Sequence, residues 1–536
     1  WTSHHPGNLD LVRKCIDAMP DWAEEVRRNP KYGNSCQIVW VSKAVDSIRN
    51  AGKFETVAGK LGTRQIISRF EGMRELADKA ETERAFARCR EVGMHGYGPG
   101  QGSFFPVTWL LPKQRVQFEA HVRKRRTRAV KRKKRRLPTY IVKPAGGSEG
   151  NGITLLQHEN NLPTEGSTTN KTYVAQEYVT PLLYAGFKFD LRLYVLLRSV
   201  DPLEVYVHRE GLARFCTEPY APPASDNLHR SYAHLTNYSL NKRSENYVHL
   251  DAEVLREREG GGQEEERSFE GASKRPASAV IREMEEMGMI DAGRLWAQID
   301  RLCALTCVAY QPELALRYRS TFPCPSGSRS QLETDTQEEP GPDALRAFHV
   351  LGVDVIIDES GTPLLLEVNS NPSLAVDAEV GADCLKQESP VDLFVKQRVL
   401  TDMLTIVADK YENREGLVKV LGAGCPDCPK EMTLLDRVRR LYQPALTKPG
   451  AGMSSGQFVR WAKEAGVVGL RGITKPDLEI IFARLCGRQE WDADQPAQRF
   501  MRLTTFVTAL VELGARAFPE VAEVGGGLLC LLDAIE

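Results

Sequence analysis

Glu367 and Asn369 stand two residues apart at the end of an apolar run, Leu364-Leu365-Leu366-Glu367-Val368-Asn369-Ser370-Asn371-Pro372-Ser373. In a β-strand alternate side chains share a face, so both would point the same way. Another carboxylate, Asp354, is enclosed by β-branched neighbours in Val350-Leu351-Gly352-Val353-Asp354-Val355-Ile356-Ile357. Between the two runs, Asp358-Glu359-Ser360-Gly361-Thr362 has the composition of a hairpin turn. Folding there would bring Asp354, Glu367 and Asn369 to one point. Hard oxygen ligands without a complete protein cage suit Mg²⁺, which keeps water and takes its other ligands from phosphates. The first expectation is a Mg²⁺–nucleotide site.

Other segments could serve such a site. In Tyr140-Ile141-Val142-Lys143-Pro144-Ala145-Gly146-Gly147-Ser148-Glu149-Gly150-Asn151-Gly152-Ile153 a strand ends in a lysine and a glycine-rich loop. Gly150 and Gly152 would let backbone N–H groups approach phosphate oxygens, with Lys143 as a cation at the loop's root. This is not a Walker A sequence, and alone such a loop is more often only a turn. Val174-Ala175-Gln176-Glu177-Tyr178-Val179 reads as a strand running into a hinge whose backbone could meet an adenine edge, or as an ordinary buried strand. Lys188, Asp190 and Arg192 alternate with apolar residues and would share one strand face, either a solvated edge or a ligand site. The apolar continuation favours the site. Gly211-Leu212-Ala213-Arg214-Phe215 offers another arginine, and His234-Leu235-Thr236-Asn237-Tyr238 a cluster of small polar groups.

With 536 residues the chain should hold several domains, since single cores stop growing near about 250–300 residues. The 71 basic and 71 acidic residues cancel, so only local charge is informative. Charge is most uneven between Arg123 and Arg136, where eleven of fourteen residues are Arg or Lys. This run is expected to be a loop too charged to pack, acting as a guide for an acidic polymer, a plain solvated loop, or a nuclear-import or RNA-binding patch. It has no interleaved aromatics, which weakens the nucleic-acid reading. No apolar run reaches the roughly 18 residues of a membrane span, and a soluble intracellular protein is expected. The first residue is Trp1, which leaves the completeness of the N-terminus open. Twelve scattered cysteines read as buried thiols, and Cys425-Pro-Asp-Cys428 as loop cysteines rather than a metal site. Segments 160–171, 256–274 and 324–342 look like surface insertions.

Taken in order, the lysine with its glycine loop, Q-E-Y, K-F-D-x-R, G-L-A-R-F, H-L-T-N-Y and the final D…E-V-N with Pro-Ser resemble the tubulin tyrosine ligase-like family of ATP-grasp ligases over about 35–410. The resemblance implies an α+β fold: an ATP-grasp core holding ATP and Mg²⁺ between two lobes, behind a small N-terminal α/β domain. It implies nucleotide contacts by Lys143, Gly150, Gly152, Gln176, Glu177, Tyr178, Val179, Lys188 and Asp190. Arg192 and Arg214 would address phosphates or an acyl-phosphate, His234, Thr236 and Asn237 would line the site, and Asp354, Glu367 and Asn369 would hold Mg²⁺. Arg192, Arg214 and Glu367 are the expected catalytic residues. The expected domains are 1–110, a central lobe 111–180 with the basic loop 123–136, a C-terminal lobe 181–412, a linker 413–433 and a helical domain 434–536. The glycine loop departs from the family's Gln-Gly-Arg/Lys-Gly by reading Glu149-Gly150-Asn151-Gly152, and Arg69 stands where a nucleotide lysine is common.

The wording resembles the polyglutamylase type, which implies addition of free L-glutamate to glutamate side chains in the acidic tails of tubulin; glycine or tyrosine ligation, or non-catalytic microtubule binding, remain alternatives. Residues 434–520 resemble the p25-alpha domain of tubulin polymerisation-promoting proteins, an all-α, EF-hand-like fold. Asp492 and Asp494 do not complete a calcium loop, so no calcium is expected there. The expected partner is tubulin or microtubules, without membrane or nucleic acid, for a monomer in the cytoplasm on the microtubule cytoskeleton, including a ciliary axoneme or basal body.

Overall fold

The computed structural model describes residues 2–4, 9–19, 37–41, 51–61, 65–91, 93–94, 96–98, 102–133, 136–147, 150–162, 172–249, 269–322, 345–380, 385–408, 416–421, 437–438, 441–442, 452–486, 500–501, 503–521 and 526–535. Helices and sheets are mixed in an α+β arrangement. The N-terminal part contains β1 (Thr2–His4), α1 (Leu9–Asp17), β2 (Ile38–Val41), α2 (Ala51–Ala58), β3 (Ile66–Ile67) and α3 (Lys79–Glu91). β1, β2 and β3 form a parallel three-stranded sheet.

A second sheet, in the order β4-β7-β5-β6, is antiparallel throughout. It is built from β4 (Thr108–Leu111), β5 (Tyr140–Pro144), β6 (Thr154–Leu156) and β7 (Tyr173–Glu177), with α4 (Arg115–Lys131) between the first two. β4 thus pairs into the same sheet as β5, β6 and β7, and the expected domain start at 111 falls at this strand's end. The expectation of an unpacked loop over 123–136 is corrected, because α4 continues helical to Lys131. Its anchors precede and punctuate the charges: Phe118, Val122 and Ala129 are buried, and the Phe118 ring meets Trp109 at 5.1 Å and Tyr140 at 5.3 Å. Alternation then divides the sheet: Tyr140 and Val142 face α4, while Lys143 turns to the other side.

The third sheet has seven strands: β8 (Leu183–Tyr184), β9 (Phe187–Val200), β10 (Leu203–Phe215), β11 (Lys274–Pro276), β12 (His349–Ile357), β13 (Pro363–Asn369) and β16 (Leu417–Leu421). Its main path runs β11-β10-β9-β12-β13, with β16 paired to β10 and β8 to β9. Two expectations change here. Residues 417–421, assigned to a linker, return to the edge of this sheet, and 269–274, assigned to an insertion, lead into β11 with Phe269 buried. The Cys425–Cys428 pair, 163–171 and 324–342 lie outside the described residues.

One face of β9, carrying Leu191, Leu193, Val195 and Leu197, packs with α5 (Ala277–Glu286) and α6 (Ala292–Thr321) in a continuous core. On the other face Tyr194 and Leu196 are covered by α7 (Pro390–Val407), after a small hairpin of β14 (Asp377–Val380) and β15 (Leu385–Glu388). Lys188, Asp190 and Arg192 are on that second face, beyond the cover of Tyr194. The C-terminal helices are α8 (Ser455–Glu464), α9 (Lys475–Cys486), α10 (Leu503–Ala517) and α11 (Gly526–Ile535). Ser454 caps α8 in a reciprocal capping box with Gln457. Phe506, Leu510 and Leu513 are fully buried and join the same core as α3 and α6. The helical region is thus packed onto the body that carries α3 and α6. Among the described residues no helix is long and apolar enough to cross a membrane.

Candidate active site

The hairpin of β12 and β13 places Asp354 opposite Glu367 and Gly352 opposite Asn369. Asp358 closes the turn, its Oδ1 accepting from the N–H groups of Ser360 and Thr362 at 2.9 Å each. On the other side β12 pairs with β9 so that Asp354 faces Arg192, and β9 pairs with β10 so that Asp190 faces Arg214. β11 adds Lys274 opposite Arg214. Five neighbouring strands therefore deliver two charged rows to one face: Lys274, Arg214, Asp190 and, two residues along β9, Arg192, Asp354, Glu367.

The rows are locked together. Arg214 grips Asp190 with two bonds of 2.7 Å and reaches Asp354 at 2.9 Å. Arg192 holds Asp354 through both Nε and Nη2, the latter at 2.8 Å. Thr236 donates to Asp190 at 2.6 Å. Burial alone would raise the Asp354 carboxyl, but Arg192 and Arg214 overcome this and hold it well below the usual range. Burial likewise opposes the charge of Arg214, and Asp190 and Asp354 more than offset it. Such ion pairs add little net stability once desolvation is counted, so the gain is a fixed arrangement of charge. Gly352 makes room for it: a Cβ there would lie 2.9 Å from Pro372 Cβ and 3.2 Å from Arg192 Cδ.

The facing sheet brings cations. Lys143 Nζ donates to Gln176 Oε1 at 2.9 Å, and Gln176 donates to Thr108 at 3.0 Å. Burial pushes the Lys143 ammonium down to about 8, opposed by Glu367 and reinforced by Lys79 and Lys188. Gly150 and Gly152 have φ of 78° and 72°, the left-handed region that favours glycine. A Cβ on Gly150 would stand 3.3 Å from Asn237 Oδ1, so the loop from one sheet closes onto the segment that connects β10 to β11 of the other. Ser148 and Glu149 lie outside the described residues.

Lys188 donates to His234 O at 2.7 Å and to Tyr178 OH at 3.1 Å, and Tyr178 OH lies 3.2 Å from His234 Nδ1. Burial, followed by the charge of Lys188, brings His234 down to about 4, leaving it neutral near pH 7. In the hinge, Glu177 N–H donates to Val107 O at 3.0 Å and Tyr178 N–H to Thr139 O at 2.9 Å. The next donor along the chain is Val179 N–H. The Glu177 side chain points away from the cleft, to His121 at 3.2 Å and Arg125 at 3.6 Å, so only its backbone is available to a nucleotide.

Sequence reasoning missed Lys79. At the start of α3 its Nζ donates to Gly147 O at 2.9 Å and lies 3.3 Å from Glu367 Oε2, bridging the glycine loop and the carboxylate strand. Arg69, expected at a nucleotide position, instead hydrogen-bonds the side chain of Asn371. The only sequence signal for Lys79 was a lysine opening an amphipathic helix. Lys274 and Lys396 were also missed: both hold Asp392, Lys396 at 2.8 Å, and Lys274 stands 4.3 Å over the Tyr238 ring.

Among the described residues no group of three His, Cys, Asp or Glu side chains converges as a metal cage. Asp354 and Glu367, opposite in register, with Asn369 on the same strand face, nevertheless fit a Mg²⁺ that keeps phosphate and water ligands. Asp354 accepts from two arginines, but a carboxylate has about four lone-pair sites, so oxygen density remains. Across the cleft Lys79, Lys143, Lys188, Arg192 and Arg214 outnumber Asp190, Asp354 and Glu367, which suits a polyanionic ligand.

A glycine loop on one sheet, a carboxylate pair on another and the cations between them make an α+β architecture whose chemistry suits a phosphate-bearing ligand. Comparison with known proteins narrows this class. A model described as the tubulin-tyrosine ligase family matches residues 64–292 and 331–411, and the chain belongs to that family. It is 35% identical over 353 residues to tubulin polyglutamylase TTLL11 of Homo sapiens, covering 65% of this chain and 44% of the relative. It is 35% identical over 360 residues to tubulin polyglutamylase ttll-11 of Caenorhabditis elegans, covering 65% and 45%. It is also 30% identical over 411 residues to tubulin polyglutamylase TTLL7 of Homo sapiens, covering 76% and 38%. The chain thus spans less than half the length of these relatives.

Proposed function

We propose that this protein is an ATP-dependent ligase that adds glutamate to glutamate side chains in the acidic tails of tubulin, through an acyl-phosphate. One observation carries the chemistry: the Arg214–Asp190 and Arg192–Asp354 pairs stand beside Glu367 on one sheet face, opposite Lys143 and the glycine loop. The choice of glutamate and tubulin rests on family membership and on relatives named tubulin polyglutamylase.

In this reading Val179 N–H and neighbouring hinge backbone meet the adenine, and Gly150 and Gly152 let the loop wrap the phosphates. Asp354, Glu367 and Asn369 would hold Mg²⁺, which would offset phosphate charge when bound. An acceptor carboxylate oxygen attacks the γ-phosphorus of ATP, releasing ADP, and the amine of free glutamate then displaces phosphate to form the amide. Lys143 and Lys79 neutralise the transferring phosphoryl group from the loop side, and Arg192 and Arg214 from the sheet side. The arginines are held beforehand by the ion-pair rows and the lysines by Gln176, Gly147 and Glu367, so little reorganisation is needed as charge develops. His234, neutral and bonded to Tyr178, keeps Lys188 in place rather than transferring a proton. No covalent enzyme nucleophile is required.

Residues 434–536 are proposed as a p25-alpha-like, EF-hand-like helical domain, and the cytoplasmic microtubule cytoskeleton, including cilia, as the working location of a monomer. Incubation with ATP, Mg²⁺, tubulin and labelled glutamate, glycine or tyrosine tests the assignment. Glutamate incorporation that Glu367→Gln abolishes is expected. Incorporation of glycine or tyrosine instead, or of no amino acid while microtubules still bind, would overturn it.

A further inference from the structure

Helix α4 keeps a charge pattern that neither its core contacts nor the cleft uses. Lys124, Arg128 and Lys131 follow one another at i, i+4 and i+7, so they form one stripe, and Arg132 extends it past the helix end. All four are exposed. The opposite face, Phe118, Val122 and Ala129, is spent on the β4-β7-β5-β6 sheet. Neighbouring basic residues do have partners: Arg123 pairs with Glu159 at 3.2 Å and Arg125 with Glu177 at 3.6 Å. No carboxylate meets the stripe among the described residues. Like charges at these spacings work against a helix, so the pattern is retained at a cost to local structure.

We propose that this stripe is a docking surface for an acidic polypeptide, namely the part of the acceptor chain flanking the glutamate that reacts. The proposal rests on the reading of the acceptor as an acidic tail. Three observations choose this occupant. The stripe is cationic in a chain whose 71 basic and 71 acidic residues otherwise balance. No aromatic side chain is exposed on α4 for bases to stack upon, and its large exposed apolar residues, Val116 and Val130, are separated by four turns of helix rather than gathered into a face that could enter a membrane. Through His121 and Arg125, α4 is fixed to Glu177 at the hinge, so the stripe has a set position one sheet layer from the cleft.

A distant contact should help only an acceptor long enough to reach both places. A peptide of about twelve residues rich in glutamate spans roughly 40 Å when extended, and a four-residue peptide spans about 13 Å. The test compares the two as acceptors for wild type, Lys124→Glu/Arg128→Glu/Lys131→Glu and the neutral Lys124→Gln/Arg128→Gln/Lys131→Gln, all checked for unchanged thermal unfolding. For the long peptide KM should rise on the order of tenfold in the reversed variant and less in the neutral one, with kcat, the KM for ATP and all short-peptide constants unchanged. Salt should weaken long-peptide use by wild type more than by the variants. Unchanged long-peptide KM in both variants would overturn the surface, as would an oligonucleotide of equal charge binding wild type more tightly than the peptide. If wild type modifies neither peptide, the functional reading fails separately; fluorescence anisotropy of the long peptide then decides the surface, and equal affinity for wild type and the reversed variant would sink it.

Discussion

Replacing Arg214 with methionine is expected to unbalance the sheet face. Arg214 is 9% exposed and supplies two hydrogen bonds to Asp190 and an ion pair to Asp354. Without it Asp354 keeps Arg192, but among the described residues Asp190 is left with the Thr236 hydroxyl and the charge of Lys188, and no guanidinium bonded to it. Breaking a buried pair by removing one partner costs about 3–5 kcal/mol, because the remaining charge is left uncompensated. That is a large part of the roughly 5–15 kcal/mol that holds a typical domain. With a urea dependence of about 2–3 kcal/mol per M, the unfolding midpoint of the body that carries this sheet should fall by about 1.5 M. Arg214→Lys should lose less, since it keeps the charge but not the fork. The double variant Arg214→Met/Asp190→Asn should recover most of the stability, because the orphaned charge is gone, yet remain inactive. A loss below about 1 kcal/mol in Arg214→Met, or a double variant no more stable than the single one, would refute the uncompensated-charge reasoning.

Lys143, brought down to about 8 by burial, gives a pH signature with opposite signs for binding and stability. An unfolded lysine titrates near about 10.4, so between these values the unfolded chain holds the extra proton and Lys143's contribution to stability rises with pH. Nucleotide affinity should fall in the same window as the ammonium is lost. Titrating ATP by calorimetry across it should show this fall for wild type and not for Lys143→Arg, and identical curves would contradict the assignment. Lys79→Ala should raise the KM for ATP without lowering the unfolding midpoint, since Lys79 bridges two partly exposed groups; an unchanged KM would remove it from the site. Phe506→Ala should cost about 3–5 kcal/mol by calorimetry, as this fully buried ring packs on Trp461 at 4.7 Å and Tyr442 at 5.2 Å. A loss under about 1 kcal/mol would show that the helical core is loosely formed.

Local period and turn chemistry made the β12–β13 hairpin legible. Asp354 among β-branched residues, Asp358 opening a turn with Gly361 and Glu367 two before Asn369 all pointed to one arrangement, and the register agrees. Alternation likewise placed Lys188, Asp190 and Arg192 on one face. Cross-strand identity was not legible: that Arg214 faces Asp190 depends on how β10 returns beside β9 through two register shifts. The helix α4 was hidden because its anchors, Phe118 and Val122, precede most of a run whose charge alone predicts no packing. Lys79 lies far in sequence from the glycine loop it touches, and β16 pairs with β10 across about two hundred residues, facts set by tertiary packing rather than local pattern.

The central claim, that an acceptor carboxylate is phosphorylated by ATP in this cleft, is tested most directly with an acceptor peptide whose side-chain carboxylates carry a heavy oxygen isotope. Attack on the γ-phosphorus followed by amine displacement must transfer one labelled oxygen to inorganic phosphate for each amide formed. Mass spectrometry should find that label in phosphate, at one equivalent per added glutamate and none with Glu367→Gln. Label in AMP, or phosphate carrying no label while glutamate is added, would contradict the account.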